Sequence, residues 1–475
     1  MTIIPAPAAE PSAPTFDPWK PCDLRGVYPD AVSPQLFREI GGAIGTLLPA
    51  SSRVVVSGDF RLSTPALKSS LCSGLLHSGA HVLDAGQCPT PLAYFAAKRM
   101  SADAVLIVTA SHNPASQNGL KLMLGSVPTT PEQLAHIRAL TRMRRFRASP
   151  GSMERIDPIP DYIQAMLLRW NRPHRSSRVV LDPGNGAWSE IAPDIFRRLG
   201  FDAACISCVA DGNFPDRSPD CSRASNLTRL RSAVVDRPHS IGIAWDGDGD
   251  RVAFVDEEGS FVSPDEIALL LASAVLEEQE KTGAANRRIV VDAKCSDIVR
   301  RTIERHRGTP LLERTGHAFM RGRMVAERAL MGLDACGHYF FEELNGGDDG
   351  LFAALFVLDL LQKRARPLAQ LRRALPRIFS TPELRIPTAL LQYRDAAEAL
   401  ASAFPDARIL ETDGLRLAMD DGVVLVRESG TEPVLSLVME GFDAASHERI
   451  LARCLLSLPK AAARLLRELG DAAAG

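Results

Sequence analysis

The feature that most constrains this chain is an alternation of short β-branched runs with helix-like segments, carried through three times. In the first pass, residues 53–57 read as a strand. Thr64, with Pro65 at the first helical position, opens a helix that Gly79 can close. A strand at 80–84, a helix at 91–100 and a strand at 103–108 follow. The second pass gives strands at 178–181, 203–209 and 241–245, with helices at 187–199, closed by Gly200, and at 226–235. The third begins with Ser263-Pro264-Asp265-Glu266, a capping box ahead of the apolar run 267–276. Strands at 288–292 and 310–314, a helix at 297–305 and a helix after Gly316 lead to Gly337-His338-Tyr339-Phe340-Phe341. Strands joined by crossover helices predict sheets with covered faces, so the fold class is α/β. The three passes form an internal structural repeat with little residue identity.

The last hundred residues break this rhythm. Strands at 416–419 and 423–426 flank Asp420-Asp421-Gly422, a hairpin signal, and a strand at 434–439 precedes a helix at 446–456. That pattern predicts a smaller α+β module, making four domains where 475 residues suggest about three. The Pro- and Ala-rich residues 1–16 are expected to form a mobile tail and 471–475 a frayed end. Expected boundaries are 17–155, 156–258, 259–376 and 377–475.

Composition excludes several classes. The net charge is −2, so no global positive field attracts nucleic acid. No apolar run approaches the ~20 residues that span a bilayer; the richest, 351–361, contains Asp359 and reads as a buried helix. The first twenty residues lack a basic segment followed by an apolar one, so no secretory signal is expected. The expectation is a cytoplasmic protein with no nucleic-acid or membrane partner. Nine scattered cysteines fit that compartment. Cys205 and Cys208 form a C-x-x-C pair with no second ligand pair, and in a strand at 203–209 their thiols would face opposite sides. Reduced, inert thiols are expected.

Three loops carry chemistry. In Asp246-Gly247-Asp248-Gly249-Asp250-Arg251, carboxylates at alternate positions can converge on one hard divalent cation. An EF-hand is excluded because Arg251 stands where that loop requires glycine, and 252–255 reads as a returning strand. A solvated acidic turn is the competing reading. Magnesium suits an all-oxygen site built for phosphate chemistry. Ser111, in Thr109-Ala110-Ser111-His112-Asn113-Pro114, ends a buried strand on a turning loop. Its hydroxyl is either a nucleophile or phosphate carrier, or a turn serine satisfying its own backbone. Arg427-Glu428-Ser429-Gly430-Thr431-Glu432-Pro433 offers a guanidinium, hydroxyls and backbone N–H groups that suit a phosphate dianion, though a plain turn looks similar. With only eight lysines beside 47 arginines, Lys121 and Lys294, each read as lying just past a strand, are candidates for a compact ammonium. Clusters at Arg142, Arg144, Arg145 and Arg147, and at Arg169, Arg172, Arg175 and Arg178, lack interleaved aromatics and read as solvated faces.

Taken together these loops resemble the α-D-phosphohexomutase superfamily, most closely its bacterial phosphomannomutase/phosphoglucomutase branch. The resemblance runs through Asp23-Leu24-Arg25-Gly26, Pro89-Thr90-Pro91, Thr109 to Pro114, Asn118-Gly119-Leu120-Lys121, Asp182 to Gly186 and Asp211 to Pro215. It continues through Asp246 to Arg251, Lys294-Cys295, Thr315-Gly316-His317, Gly337 to Phe341, Ser380 to Glu383, Asp413-Gly414 and Arg427 to Pro433. It implies three related mixed α/β domains and a C-terminal α+β domain of TATA-binding-protein-like fold around a central cleft. It implies a phosphoserine at Ser111, with Ser111, Asp246, Asp248 and Asp250 holding Mg²⁺. Arg25, Lys121, His112 and Arg251 would surround the transferring phosphoryl group, with His338 also catalytic. Lys294, Thr315, Gly316, His317, Asp334 and Cys336 would line the sugar site, and Arg427, Ser429, Gly430 and Thr431 would hold the phosphate that is not reacting. The implied partner is a small phosphosugar, the implied activator a hexose 1,6-bisphosphate, and the expected state a monomer or weak dimer.

Members of the family usually carry Gly-Glu-x-Ser-Gly-His in the sugar-reading loop; here the stretch is Leu333-Asp334-Ala335-Cys336-Gly337-His338. Aspartate is one methylene shorter than glutamate, and a thiol bonds more weakly than a hydroxyl. The resemblance implies interconversion of hexose 6- and 1-phosphates of mannose and glucose through a bisphosphorylated intermediate. Arg427 to Pro433 fits the glucosamine branch equally, which makes phosphoglucosamine mutase the alternative. A non-catalytic sugar-phosphate binder is the alternative of another class.

Overall fold

The computed structural model describes residues 17–171, 177–429, 433–460 and 462–464. It contains four sheets. The first runs in the order Leu24–Val27, Gln117–Leu124, Ala104–Val108, Arg53–Gly58, His81–Gln87, Ser152–Arg155. Its last four strands are parallel, while Gln117–Leu124 returns antiparallel to Ala104–Val108 and pairs Lys121 with Ile107. Lys121 therefore lies inside a strand, not beyond one. The second sheet runs Phe261–Val262, Val252–Val255, Ser240–Trp245, Arg178–Asp182, Asp202–Cys205. The third runs Thr309–Glu313, Arg288–Asp292, Met331–Leu333, Tyr339–Phe341, Gly347–Asp348.

One geometry recurs in all three. A parallel strand ends, a short loop reverses the chain, and an antiparallel neighbour carries it back. Ala104–Val108 hands over to Gln117–Leu124, Ser240–Trp245 to Val252–Val255, and Met331–Leu333 to Tyr339–Phe341. The loops so formed hold Ser111, Asp246 to Arg251, and Asp334 to His338 respectively. Ligands in open α/β sheets gather outside the carboxyl ends of strands, and these loops share that position.

The local signals explain the elements. The capping box of helix Pro264–Thr282 is complete: Ser263 Oγ accepts from Glu266 N at 3.2 Å, and Glu266 accepts from Ser263 N at 2.8 Å. Such caps contribute about 1 kcal/mol. The apolar run 351–361 lies in helix Gly350–Arg364, whose N-cap Asp349 accepts from Leu351 N and Phe352 N. Among the described residues no helix is long and apolar enough to cross a membrane.

Two expected elements are shorter. Residues 183–190 turn, with Gly184 and Asn185 at φ +57° and +60°, so the helix read over 187–199 is Ile191–Arg198. The strand read over 203–209 stops at Cys205, and Ser207 takes φ +52°. That turn breaks the alternation that would put the two thiols on opposite faces: Cys208 Sγ donates to Leu181 O at 3.9 Å, and the influence of each thiol on the other pulls that of Cys205 down to about 7 and pushes that of Cys208 up.

One buried cluster is continuous across the first three sheets, from Val55 through Trp188 and Trp245 to Leu361 and Leu368. The fourth unit has its own core, including Leu384, Leu417, Val424, Leu437 and Cys454. It is an antiparallel sheet, Phe379–Ser380, Val434–Gly441, Gly422–Glu428, Leu415–Ala418, Arg408–Leu410, with Leu384–Pro387 also on Val434–Gly441 and helices Tyr393–Ala403 and Ala444–Ser457 alongside. A separate core lets this unit move against the others without opening the shared one.

Candidate active site

Ser111 stands at φ +52°, a left-handed conformation unusual for a residue with a Cβ. Its N–H donates to Thr109 Oγ1 at 2.9 Å, and its hydroxyl donates to Asp246 Oδ2 at 2.9 Å and lies 3.3 Å from His112 Nδ1. The reading of a serine bonded to its own backbone fails: the hydroxyl reaches across to the loop of the second sheet. Burial, then Arg251 and Arg25, hold the His112 imidazole well below its usual range, so it is neutral and can accept a proton. Arg25 donates to Ala110 O at 3.2 Å and pairs with Asp23 at 2.9 Å, which places it at the mouth of the same loop.

Asp246, Asp248 and Asp250 are fully buried, and each offers an oxygen within 4.8 Å of the others. Two devices shape this loop. Asp246 Oδ1 accepts from Gly249 N at 3.0 Å and Arg251 N at 3.2 Å, and Trp188 Nε1 donates to Gly249 O at 2.8 Å. Gly249 sits at φ +83° with Trp188 against it, where a Cβ would lie 2.3 Å from Nε1. Burial and the charges of Asp248 and Asp250 push the Asp246 carboxyl up to about 8. Lys121 Nζ lies 2.6 Å from Asp248 Oδ2 and also pairs with Asp250. Burial disfavours the ammonium, but these two carboxylates hold it well above the ordinary lysine range. Asp248 Oδ1 is buried without a hydrogen-bond partner, and Asp250 Oδ1 has only the His338 ring beside it, at 3.4 Å. An orphaned carboxylate oxygen in an all-oxygen donor set fits a hard divalent cation.

The loop of the third sheet closes on this cluster. Asp334 Oδ1 accepts from the backbone of Cys336 at 2.8 Å and of His338 at 2.9 Å, and Oδ2 lies 2.6 Å from His338 Nδ1. His338 Nε2 faces both Arg251 Nε at 3.1 Å and Asp250 Oδ1 at 3.4 Å. It accepts from Arg251 when neutral and donates to Asp250 when charged. Burial opposes the charge, yet Asp334 and Asp250 outweigh it and Arg251, raising the imidazole well above its usual range. Gly316, at φ +135°, turns the chain into helix His317–Glu327. His317 lies 2.9 Å from Asp348 Oδ1 and stacks on Tyr94 from the first domain.

At the fourth unit, Arg427 pairs with Asp413 at 2.8 Å, and Asp413 accepts from Thr315 N at 3.1 Å. Lys294 pairs with Glu383 at 3.1 Å. Ser429 N donates to Val434 O at 2.9 Å. Gly430 and Thr431 lie outside the described residues.

Models of the phosphoglucomutase/phosphomannomutase domains match in order: alpha/beta/alpha domain I over residues 20–148, domain II over 160–259, domain III over 263–379 and the C-terminal domain over 383–456. The chain belongs to the phosphoglucomutase/phosphomannomutase family. It is 34% identical over 433 residues to a phosphomannomutase/phosphoglucomutase of Pseudomonas syringae pv. tomato, covering 90% of this chain and 92% of that one. It is 33% identical over 450 residues to a phosphoglucomutase of Neisseria gonorrhoeae, covering 92% and 96%. A crystal structure of a phosphoglucomutase/phosphomannomutase family protein from Burkholderia thailandensis superposes with a TM-score of 0.84 at 32% identity, over 93% of this chain and 97% of that one.

Within this phosphoglucomutase/phosphomannomutase frame, the structure gathers Ser111, His112, Lys121, Arg25, Asp246, Asp248, Asp250, Arg251 and His338 at one point. Asp334 bonds within its own loop, Oδ1 to the Cys336 and His338 N–H groups and Oδ2 to the His338 ring. Motif reading included Thr90 but gave it no role, and its hydroxyl donates to Asp248 at 2.7 Å; it missed Tyr94, Asp348 and the pair Asp59–Arg61. Of these, Asp59-Phe60-Arg61 carried a signal: two opposite charges directly after a buried strand.

Proposed function

We propose that this protein is a phosphohexomutase that interconverts the 6- and 1-phosphates of mannose and glucose. The observation that carries the reading is Ser111 Oγ, buried and 2.9 Å from the first of three clustered carboxylates, with His112 beside it. Phosphoryl transfer needs in-line positioning and charge neutralisation more than covalent assistance. Arg25, Arg251 and Lys121 supply the cations around Ser111, and Ser111 is the phosphate carrier in this reading.

Asp246, Asp248 and Asp250, with the oxygen of Ser111, would hold magnesium, which when bound neutralises charge on the transferring phosphoryl group. Transfer breaks the Oγ–P bond of phosphoserine and forms a P–O bond to a sugar hydroxyl. Neutral His112 is placed to take the hydroxyl proton. The 1,6-bisphosphorylated sugar then turns around, and its other phosphoryl group returns to Ser111. In the retained orientation Lys294, Thr315, Gly316, His317 and Cys336 face the sugar, and Arg427, Ser429, Gly430 and Thr431 take the distal phosphate. A fourth domain with its own core can close over the cleft and exclude water.

The test is phosphorus NMR of mannose, glucose and glucosamine 1-phosphates with magnesium and a catalytic amount of hexose 1,6-bisphosphate. Conversion of the first two is expected, with turnover abolished in Ser111→Ala. Conversion of glucosamine 1-phosphate alone would move the protein to the glucosamine branch. Binding without conversion of any sugar would leave a sugar-phosphate binder.

A further inference from the structure

Arg61 is fully buried, and all five of its guanidinium N–H donors are engaged. Nε bonds Asp59 Oδ2 at 2.9 Å. The other four bonds run to main-chain carbonyls of one loop: Nη1 to Pro114 O at 2.6 Å and Gln117 O at 2.9 Å, Nη2 to Ser111 O at 2.7 Å and Asn113 O at 2.6 Å. Asp59 completes the frame from the other side. Its Oδ2 accepts from Thr109 Oγ1 at 2.7 Å, and Thr109 Oγ1 accepts from Ser111 N at 2.9 Å. Both backbone polar groups of Ser111 are thus anchored to one buried ion pair.

That anchoring matters because a left-handed φ of +52° is unfavourable for a residue with a Cβ. Such conformations persist where the surroundings over-determine them. The second domain seats the frame. Phe214 lies over the Arg61 guanidinium with its ring centroid 5.2 Å away. Gly247 of the acidic loop packs so closely that a Cβ there would lie 2.6 Å from Ser111 O and 3.4 Å from Phe214.

We infer that Arg61 is a positioning residue for Ser111: with Asp59 it fixes the loop 111–117 so that Oγ meets the acidic loop, and Phe214 ties that placement to the second domain. The inference rests on Ser111 carrying the phosphoryl group. A buried lysine at this position would keep the charge beside Asp59 but has three donors on one nitrogen, so it cannot hold four carbonyls in a plane.

The experiment compares wild type with Arg61→Lys, Arg61→Ala and Thr109→Val. It measures kcat and KM for hexose 1-phosphate, the rate at which hexose 1,6-bisphosphate phosphorylates Ser111 by intact-mass spectrometry, and the phosphorus resonance of the phosphoserine. Arg61→Lys is expected to lower kcat and the phosphorylation rate about 100-fold with KM nearly unchanged, since a small misplacement of a reacting atom has that effect. The phosphoserine resonance should move or broaden, and guanidinium ion should restore part of the activity of Arg61→Ala. If Arg61→Ala does not fold, Arg61→Lys and Thr109→Val give the same readout. Wild-type kcat in a folded Arg61 variant overturns the inference. So does a loss shared equally by KM, with no rescue and an unmoved resonance. A wild-type protein that never gains phosphate at Ser111 sinks the mutase reading, on which the inference rests, whereas a wild type that gains it at the same rate as a folded Arg61 variant sinks the inference alone.

Discussion

Asp334 Oδ2 lies 2.6 Å from Nδ1 of His338, while Oδ1 of the same carboxylate accepts two backbone N–H groups of the loop between them. The shorter acid is consumed in shaping its own turn. A glutamate at this position would carry its carboxylate one methylene further, and a serine at 336 would present a full hydroxyl where Cys336 presents a thiol. Asp334→Glu combined with Cys336→Ser is therefore expected to change the ratio of kcat/KM between mannose and glucose 1-phosphates by about tenfold. Steady-state kinetics on the two sugars check it. An unchanged ratio would mean that this loop does not read the sugar.

Lys121 competes for the oxygens that would bind a cation. Its ammonium is 2.6 Å from Asp248 and paired with Asp250. Lys121→Met leaves these buried carboxylates without their counter-charge, a strongly unfavourable state that a divalent cation relieves. Calorimetric titration should show magnesium or manganese binding tightened by about tenfold or more, while turnover falls by at least about 100-fold. Weaker metal binding in the variant would place the cation elsewhere.

The fourth domain is docked through buried polar groups. Glu440 accepts from Ser296 Oγ at 2.7 Å and Asp297 N at 3.0 Å, at the first turn of helix Asp297–Arg305, and Arg416 donates to Ala293 O at 2.7 Å. Glu440→Ala would orphan both donors at about 1–3 kcal/mol each. Its expected effect is a raised KM with a smaller change in kcat, and a larger radius of gyration in small-angle scattering. Unaltered scattering and kinetics would show that this contact does not govern docking.

Asp349 gives a pH dependence with a definite sign. Burial pushes its carboxyl from 3.8 up to about 7, only partly offset by the Phe352 N–H, the Tyr162 hydroxyl and the Leu351 N–H. Between those values the folded chain binds a proton that the unfolded chain has lost, so stability falls as pH rises through the window and levels off above it. This group contributes a slope of about 1.4 kcal/mol per pH unit there. Asp349→Asn, neutral and of the same shape, should lack it. Urea unfolding of both proteins across the window should show the variant gaining on wild type up to about pH 7 and no further. Parallel curves would refute the assignment.

Much of the fold was legible because its determinants are local. The capping box at Ser263 and Glu266, the proline-opened helix Thr64–His77 and the helix Asp297–Arg305 follow from residues within a few positions of one another. Lys121 was misplaced because Gln117–Leu124 has little strand character of its own and is a strand only through pairing with Leu24–Val27 and Ala104–Val108. The two thiols of Cys205 and Cys208 were separated by an assumed strand that Ser207 in fact breaks.

The same division holds at the site. Residue order alone reveals which chemical groups are present: a serine after a buried strand, three aspartates spaced by glycines, and a histidine after Gly337. Spacing along the chain suffices there, because each set converges within one loop. Packing alone makes the three loops meet, points Ser111 to Asp246 and not to its own backbone, and brings Arg61 to the Ser111 carbonyl. Those contacts join residues 135 and 50 positions apart. Direction of a hydroxyl and burial of a charge depend on what packs around them, and no local pattern records that.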